Sequence, residues 1–319
     1  MKFFFISIFL IVQILSASCG GTAANQIPPA NAAAKTITPE TFATPKTDAE
    51  LQKQIEAIAA EAKGKVGVYA TVIETGETVS LKGDGRFAMQ SVYKVPIAMA
   101  VLWQVRHGKL KLDETVRVEK ADFVTPGQRS PIRDKYPNGT ELTLRELIRL
   151  SISESDGTAS DVQLRLLGGA AAVQEYLTGI GITDIKVVNT EKEFAQNWQT
   201  QYANWATPAA AVELLRGMNS WTAIEGEGLI LQGYMIDSPT GPKRLKGLLP
   251  KGTFVMHKTG TSGSREGVTA ATNDIGIIPL PNGKNVVIAV FVSDSSESEQ
   301  VREAVIAKIA KAVWDKWGK

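Results

Sequence analysis

Ser91 and Lys94 stand three residues apart in "FAMQSVYKVPIAMAVLWQV" (87–105), where an apolar run begins. Val92, Val95, Ala98, Met99 and Leu102 recur there at helical spacing. If a helix starts near Ser91, its hydroxyl lies at the positive end of the dipole, and Lys94 follows one turn on along the same face. That pair is either a capping serine beside a solvated lysine or a nucleophile beside its base. A serine hydroxyl attacks poorly until a base takes its proton. Lys94 can be that base only as a neutral amine, a form favoured by burial and by a second cation nearby. The pair alone does not choose, because a serine three residues before a lysine arises by chance in a chain of 319 residues.

Three further stretches carry reactive residue types. "SESDGTASD" (153–161) places Ser155 in a loop after a helix. "NTEKEFAQNW" (189–198) is an acidic irregular segment offering Glu191 and Glu193. "HKTGTSG" (257–263) lies on or beside a strand and runs into a glycine turn. His107 and His257 are the only histidines, which removes a zinc site built from clustered imidazoles. A Ser-His-Asp triad would need one of these two, and neither has a supporting motif. His257, next to Lys258, is expected to be packed or hydrogen-bonded, and His107 to sit near a helix C-terminus, where the dipole favours it.

The elements that must position these residues follow from pattern. Thr47-Asp48-Ala49-Glu50 reads as a capping box, opening a helix with Leu51, Ile55, Ile58 and Ala62 on one stripe and a stop at Gly64. "KVGVYATVIETGETVSLK" alternates, turns at Thr75-Gly76 and resumes, as a hairpin does. The middle is helical: Thr143 to Glu146 is a second capping box, and Thr207-Pro208 opens a helix expected to end at Gly217. Strands return in "GTFVMHKTG", "GVTAATNDIGIIPL" and "NVVIAVFV", and a last helix, Glu299 to Trp317, carries Val301, Val305, Ile309, Val313 and Trp317 on one stripe. The fold class is α+β: an antiparallel sheet built from both ends of the chain and flanked by terminal helices, with an all-helical lobe over about 91–234 inserted. The Ser91 helix begins where the chain crosses between lobes, a favoured place for a site.

Composition bounds the rest. Hydrophobic content of 44% and charged content of 21% suit a soluble globular chain, and a net charge of +2 gives no reason to invoke nucleic acid or an anionic membrane. Met1-Lys2 followed by the apolar run Phe3 to Leu15 reads as a signal peptide over 1–18, too short to span a bilayer comfortably. Cys19 is the only cysteine, so a disulfide within the chain is impossible. Its place after the signal core is similar to a bacterial lipoprotein attachment site, although Ser16 stands where leucine is usual. The alternative is cleavage near Ser18 and a free secreted chain. Residues 19–46, rich in Ala, Thr, Pro and Asn, read as a flexible tether, and 47–319 as the catalytic domain.

Ser91-x-x-Lys94, Ser155-Asp156-Gly157, Glu191 and Lys258-Thr259-Gly260, in that order and spacing, resemble the active-site motifs of the class A serine β-lactamases. "QYANWATP", "TGPKRLKGLLP" and "TAATNDIGII", with Asp161 where most of that class has asparagine, resemble its subgroup of PER-type and CfxA-type enzymes. The resemblance covers 47–319. It implies hydrolysis of the β-lactam amide of penicillins or cephalosporins through an acyl-enzyme on Ser91, and so antibiotic resistance. Lys94, or Glu191 through a water, would be the acylation base. Ser155 would protonate the departing nitrogen, and Glu191 would activate the water that frees the acyl group. The backbone N–H groups of Ser91 and Thr261 would form the oxyanion hole. Lys258, Thr259, Gly260, Thr261, Arg244 and Gly157 would hold the substrate, with a surface arginine as the alternative for Arg244. Glu191 is preferred to Glu193 by its distance from Asn204-Trp205.

Some positions depart from the pattern. Gly157 replaces an asparagine that usually touches lysine and substrate, Ala195 one that helps hold the water, and Arg129 stands near a cleft edge that is often aromatic. No metal and no cofactor are implied; the expected partner is a small β-lactam, the expected state a monomer, and the expected location periplasmic or secreted, or membrane-tethered through Cys19. Two rivals remain: a D,D-peptidase of the same superfamily, against which Glu191 argues, and a sensor that acylates and stays acylated, which Gly157 and Ala195 keep open.

Overall fold

The computed structural model describes residues 46–222 and 226–319. The expected signal peptide, Cys19 and the tether up to residue 45 lie outside the described residues. The core is a sheet whose main strands run, edge to edge, Glu77–Leu81, Lys65–Val72, Asn285–Ser295, Val268–Pro279 and Met256–Thr261, each antiparallel to its neighbour. The first hairpin and the last three strands therefore share one sheet. Asn285–Ser295 lies at its centre and is buried on both faces. Val286, Ile288, Val290 and Val292 pack with Leu51 and Ile55 of the first helix (Ala49–Ala60) and Val305 and Ile309 of the last (Glu299–Trp317). Val287, Ala289 and Phe291 point the other way, into the helical lobe.

Local chemistry shifts some boundaries. The first helix is capped by Asp48, whose carboxylate accepts from Glu50 N (3.1 Å) and Leu51 N (3.0 Å). Thr47, the expected cap, is instead drawn into a two-residue parallel pairing with Glu77–Thr78. The helix ends at Ala60, and Gly64 follows where a Cβ would lie 2.7 Å from Ser293 O, so only glycine lets the chain enter the sheet there. The helix opened by Pro208 does not stop at Gly217 but runs to Thr222. Leu214 and Leu215 before the glycine and Met218 after it form one buried stripe, and their burial outweighs the roughly 1 kcal/mol that glycine costs in a helix.

In the lobe the helix Lys94–Arg106 is enclosed: Val95, Ile97, Ala98, Met99, Val101 and Leu102 are all buried, on every side of it. The helices Leu144–Ile152, Gly157–Leu167, Ala170–Gly179 and Gly226–Ile236 surround it. The lobe also carries a ribbon, Thr115–Val118 with Thr140–Thr143, and short strands at Phe87–Ala88, Ile185–Lys186 and Trp205–Ala206. Among the described residues no helix is long and apolar enough to cross a membrane.

Candidate active site

Ser91 does not cap the enclosed helix. It lies in a 3-10 turn, Gln90–Tyr93, and the α-helix proper begins at Lys94. Pro96 falls in the first turn, where its missing N–H has no partner to lose. Gln90 is held in the left-handed region, φ 48°, with its side chain donating to Gln201 Oε1 at 2.7 Å. The turn is pinned from two sides: Asn273 Nδ2 donates to Ala88 O (2.8 Å) and Met89 O (3.1 Å), and Met89 N donates to Asn204 O (2.9 Å).

Lys94 is wholly buried, and its amine reaches both Ser91 Oγ and Glu191 Oε1 at 2.8 Å. Glu191 opens a short helix, Glu191–Phe194, capped by Thr190. Glu193 closes that cap, its carboxylate accepting from Thr190 N (2.7 Å) and Thr190 Oγ1 (3.0 Å). The two acids are thereby sorted: Glu193 has a structural task, and Glu191 faces Lys94. The segment is tied at its base by Asn204, whose Oδ1 accepts from Val188 N (2.8 Å) and Asn189 N (2.9 Å). From below, Asp161 accepts from Glu191 N (2.8 Å) and Lys192 N (3.1 Å), and the Gln128 amide donates to Glu191 O. Burial first, then the charge of Glu191, raises the Asp161 carboxyl to about 6, against the lowering effect of those backbone N–H groups.

Ser155 lies in the left-handed region, φ 58°, between the helices Leu144–Ile152 and Gly157–Leu167. Asp156 fixes the bend: it caps the second helix through Ala159 N (2.9 Å) and accepts from Ile132 N (2.7 Å) and Ser130 Oγ (3.1 Å). Burial raises its carboxyl, against those hydrogen bonds. Ser155 Oγ accepts from Lys258 Nζ at 2.9 Å. Lys258 is fully buried, and burial first, then the charge of Lys94, pushes its amine well below the usual lysine range. On the same strand, Gly260 permits close docking: a Cβ there would lie 2.3 Å from Met89 O, so the bare backbone brings Thr261 up to the Ser91 turn.

Ser91, Ser155, Glu191, Thr259, Thr261 and Arg244 line one cavity of about 610 Å³, with Ala195 and Arg129 also on its wall. Gly157 sits behind Glu191, where a Cβ would lie 2.6 Å from Glu191 Cγ; the acid occupies the space a side chain would need. Arg244 is not a surface arginine. It is buried and donates to Glu303 Oε1 (3.1 Å), Gly260 O (3.2 Å), Asn273 O (3.0 Å) and Thr261 Oγ1 (2.8 Å). Four of its five donors are thus taken, and its charge reaches the cavity largely through Thr261. His257 is buried, with Nδ1 within 3.0 Å of Asp274, and His107 ends the Lys94–Arg106 helix, Nδ1 2.7 Å from Trp103 O. Among the described residues no cluster of three or more His, Cys, Asp or Glu is spaced for a metal ion. A larger open groove, about 760 Å³, between Ala170–Gly179 and Lys186–Val188, contains none of these groups.

Sequence reading missed Glu303, Asn273 and Tyr93, and took Asn204 as a landmark without its role in tying the Glu191 segment. Glu303 had a signal: it lies three residues before Ile306, so it falls on an apolar face of the last helix. The others act through tertiary contacts that leave no trace in spacing.

A serine in a strained turn, a buried lysine, a carboxylate on that lysine and a second Ser–Lys pair, all at the seam of an antiparallel sheet and a helical lobe, define the serine acyl-transferring hydrolases of the β-lactamase type. The β-lactamase enzyme family matches residues 50–317. The extended-spectrum β-lactamase PER-1 of Pseudomonas aeruginosa is 41% identical over 287 residues, 88% of this chain and 92% of its own. β-Lactamase VEB-1 of the same organism is 38% identical over 278 residues, 86% of this chain and 92% of its own. The crystal structure of a β-lactamase from Chitinophaga pinensis superposes with a TM-score of 0.81 at 43% identity, covering 84% of this chain and 99% of that one. The chain belongs to the β-lactamase enzyme family, among its class A members.

Proposed function

We propose that this protein hydrolyses the amide bond of penicillins or cephalosporins through a serine acyl-enzyme and so confers resistance to them. The observation that carries the reading is the Lys94 amine, 2.8 Å from both Ser91 Oγ and Glu191 Oε1. Ser91 Oγ attacks the lactam carbonyl carbon as its proton passes to the Lys94–Glu191 pair. The backbone N–H groups of Ser91 and Thr261 receive the oxyanion; such a donor is worth about 3 kcal/mol of barrier. As the C–N bond breaks, Ser155 Oγ gives its proton to the nitrogen and receives in turn the one that Lys94 took from Ser91, so that the Lys94–Glu191 pair is free to accept again. Lys258, Thr259 and Thr261 hold the substrate carboxylate, which returns to the Lys258 amine the favourable neighbour that burial took away. Glu191 then takes a proton from a water that attacks the ester, and Ser91 Oγ leaves with a proton passed back to it through Lys94, 2.8 Å from both groups.

The test is intact mass against time after mixing the purified protein with a small excess of a cephalosporin and, separately, a penicillin. An adduct that appears and then vanishes is expected, absent in Ser91→Ala, trapped in Glu191→Ala and still released in Glu193→Ala. An adduct that persists in the unaltered protein would make it a sensor or a peptidase and overturn the reading. We also propose export and lipid attachment at Cys19, supported by the apolar run Phe3 to Leu15 before it. Metabolic labelling with palmitate should mark the protein in cells and fail for Cys19→Ala; equal labelling of both would refute attachment there.

A further inference from the structure

We propose that Tyr93 is a positioning residue for the deacylation step: its hydroxyl donates to Glu191 Oε2, holding that carboxylate aimed into the cavity. This rests on Glu191 being the deacylating base. Tyr93 lies between Ser91 and Lys94 in the same turn and is wholly buried, its ring edge-on to Phe194 at 5.5 Å. Its oxygen is 3.3 Å from Glu191 Oε2 and 3.4 Å from Ser160 Oγ. Ser160 has one proton, and it is directed to Gly157 O at 2.9 Å. Ser160 can therefore only accept, and the Tyr93 proton chooses between a neutral hydroxyl and a carboxylate. The charged acceptor makes the stronger bond. Burial, and the charge of Glu191 after it, keeps the phenol protonated far above neutral pH, so the donor is always present.

Lys94 takes Oε1 of the same carboxylate, and Tyr93 and Lys94 are the only side chains that donate to it among the described residues. The other charged groups near Glu191 are engaged elsewhere. Asp161 holds its backbone N–H, Lys258 is on Ser155, Glu193 closes the Thr190 cap, and Lys192 reaches Ala121 O. Ala195 adds nothing polar to the cavity wall. Without the Tyr93 bond, Oε2 has no donor to fix it, the carboxylate turns about its single hydrogen bond to Lys94, and release of the acyl group slows.

The experiment compares acylation and deacylation rates at pH 7 in the unaltered protein, Tyr93→Phe and Ser160→Ala, by intact mass after a single addition of cephalosporin. Tyr93→Phe keeps the ring and loses the donor. Its acylation should stay within about twofold, while deacylation slows roughly tenfold. Ser160→Ala removes an acceptor that does not hold the Tyr93 proton and should leave deacylation within about twofold. A merely structural role would slow both steps together in Tyr93→Phe, or slow deacylation as much in Ser160→Ala, and either result would overturn the proposal, as would unchanged deacylation in Tyr93→Phe. If Tyr93→Phe does not fold, Tyr93→Met, which also lacks the donor and can refill the space, is read in its place. Glu191→Gln separates the two readings. If it is trapped as the acyl-enzyme while Tyr93→Phe shows no slowing, only the Tyr93 inference fails. If it turns over normally, Glu191 is not the base and both fall.

Discussion

Asp161 couples the Glu191 segment to pH in a way that can be measured without any substrate. Its carboxyl is raised from its ordinary 3.8 to about 6, chiefly by burial. A folded state that holds this proton more tightly than the unfolded chain is favoured at low pH and loses that advantage as pH rises from about 4 through about 6. The separation is roughly two pH units, so the group costs the folded state up to about 3 kcal/mol once it is ionised. Asp161→Asn removes the ionisation. It also presents one amide NH₂ where two backbone N–H groups, at 2.8 and 3.1 Å, sought oxygens, and one of them loses its acceptor at a cost of about 1–3 kcal/mol. That second cost is largely independent of pH. Urea unfolding of both proteins at pH 4, 5, 6 and 7, followed by the fluorescence of the six tryptophans, separates the two effects. The unaltered protein should lose about 2.4 kcal/mol relative to Asp161→Asn between pH 4 and pH 7, the rest of the effect lying below pH 4. With a slope of about 3 kcal/mol per M, that moves the difference in midpoints by about 0.8 M. Parallel pH profiles for the two proteins would show that Asp161 is not ionising in this window and would refute the argument.

Glu303→Ala should destabilise the fold by about 3–5 kcal/mol, because it leaves the buried guanidinium of Arg244 without its counter-charge; a midpoint in urea unchanged from the unaltered protein would contradict this. The same variant should raise KM for a β-lactam more than it lowers kcat, since Arg244 reaches the cavity through Thr261. Gly260→Ala should slow covalent labelling of Ser91 at least a hundredfold, because its Cβ cannot approach Met89 O to 2.3 Å and the strand must retreat from the turn; labelling at the normal rate would mean the strand does not need to come so close.

The four motifs could be read from the chain because residue type and order carry them. Their arrangement could be read only in part. The sheet from both chain ends followed from apolar alternation, and the last helix was found over Glu299–Trp317 as its stripe required. The choice between Glu191 and Glu193 did have a physical signal: Thr190 and Glu193 spell a capping box, which gives the second acid another occupation. Asp48 displaced Thr47 as a helix cap because a strand pairing captured Thr47, and no local rule anticipates that. Arg244 was legible as a cation and not as a buried one, since its partner Glu303 lies on a helix far along the chain.

The central pairing of the sheet has a consequence for how the molecule comes into being. Val68 pairs with Val290, so the first hairpin waits for a strand made about 220 residues later. At common rates of synthesis that interval is roughly 10–40 s. Closing so long a loop is slow compared with forming local helices, and the Lys65–Val72 edge stays unsatisfied meanwhile. The Lys258 strand in turn hangs on Val268–Pro279, which pairs with Asn285–Ser295. A nascent chain that already contains Ser91, Lys94, Ser155 and Glu191 therefore has no site: catalytic competence arrives only with the last strands, in the final moments of folding.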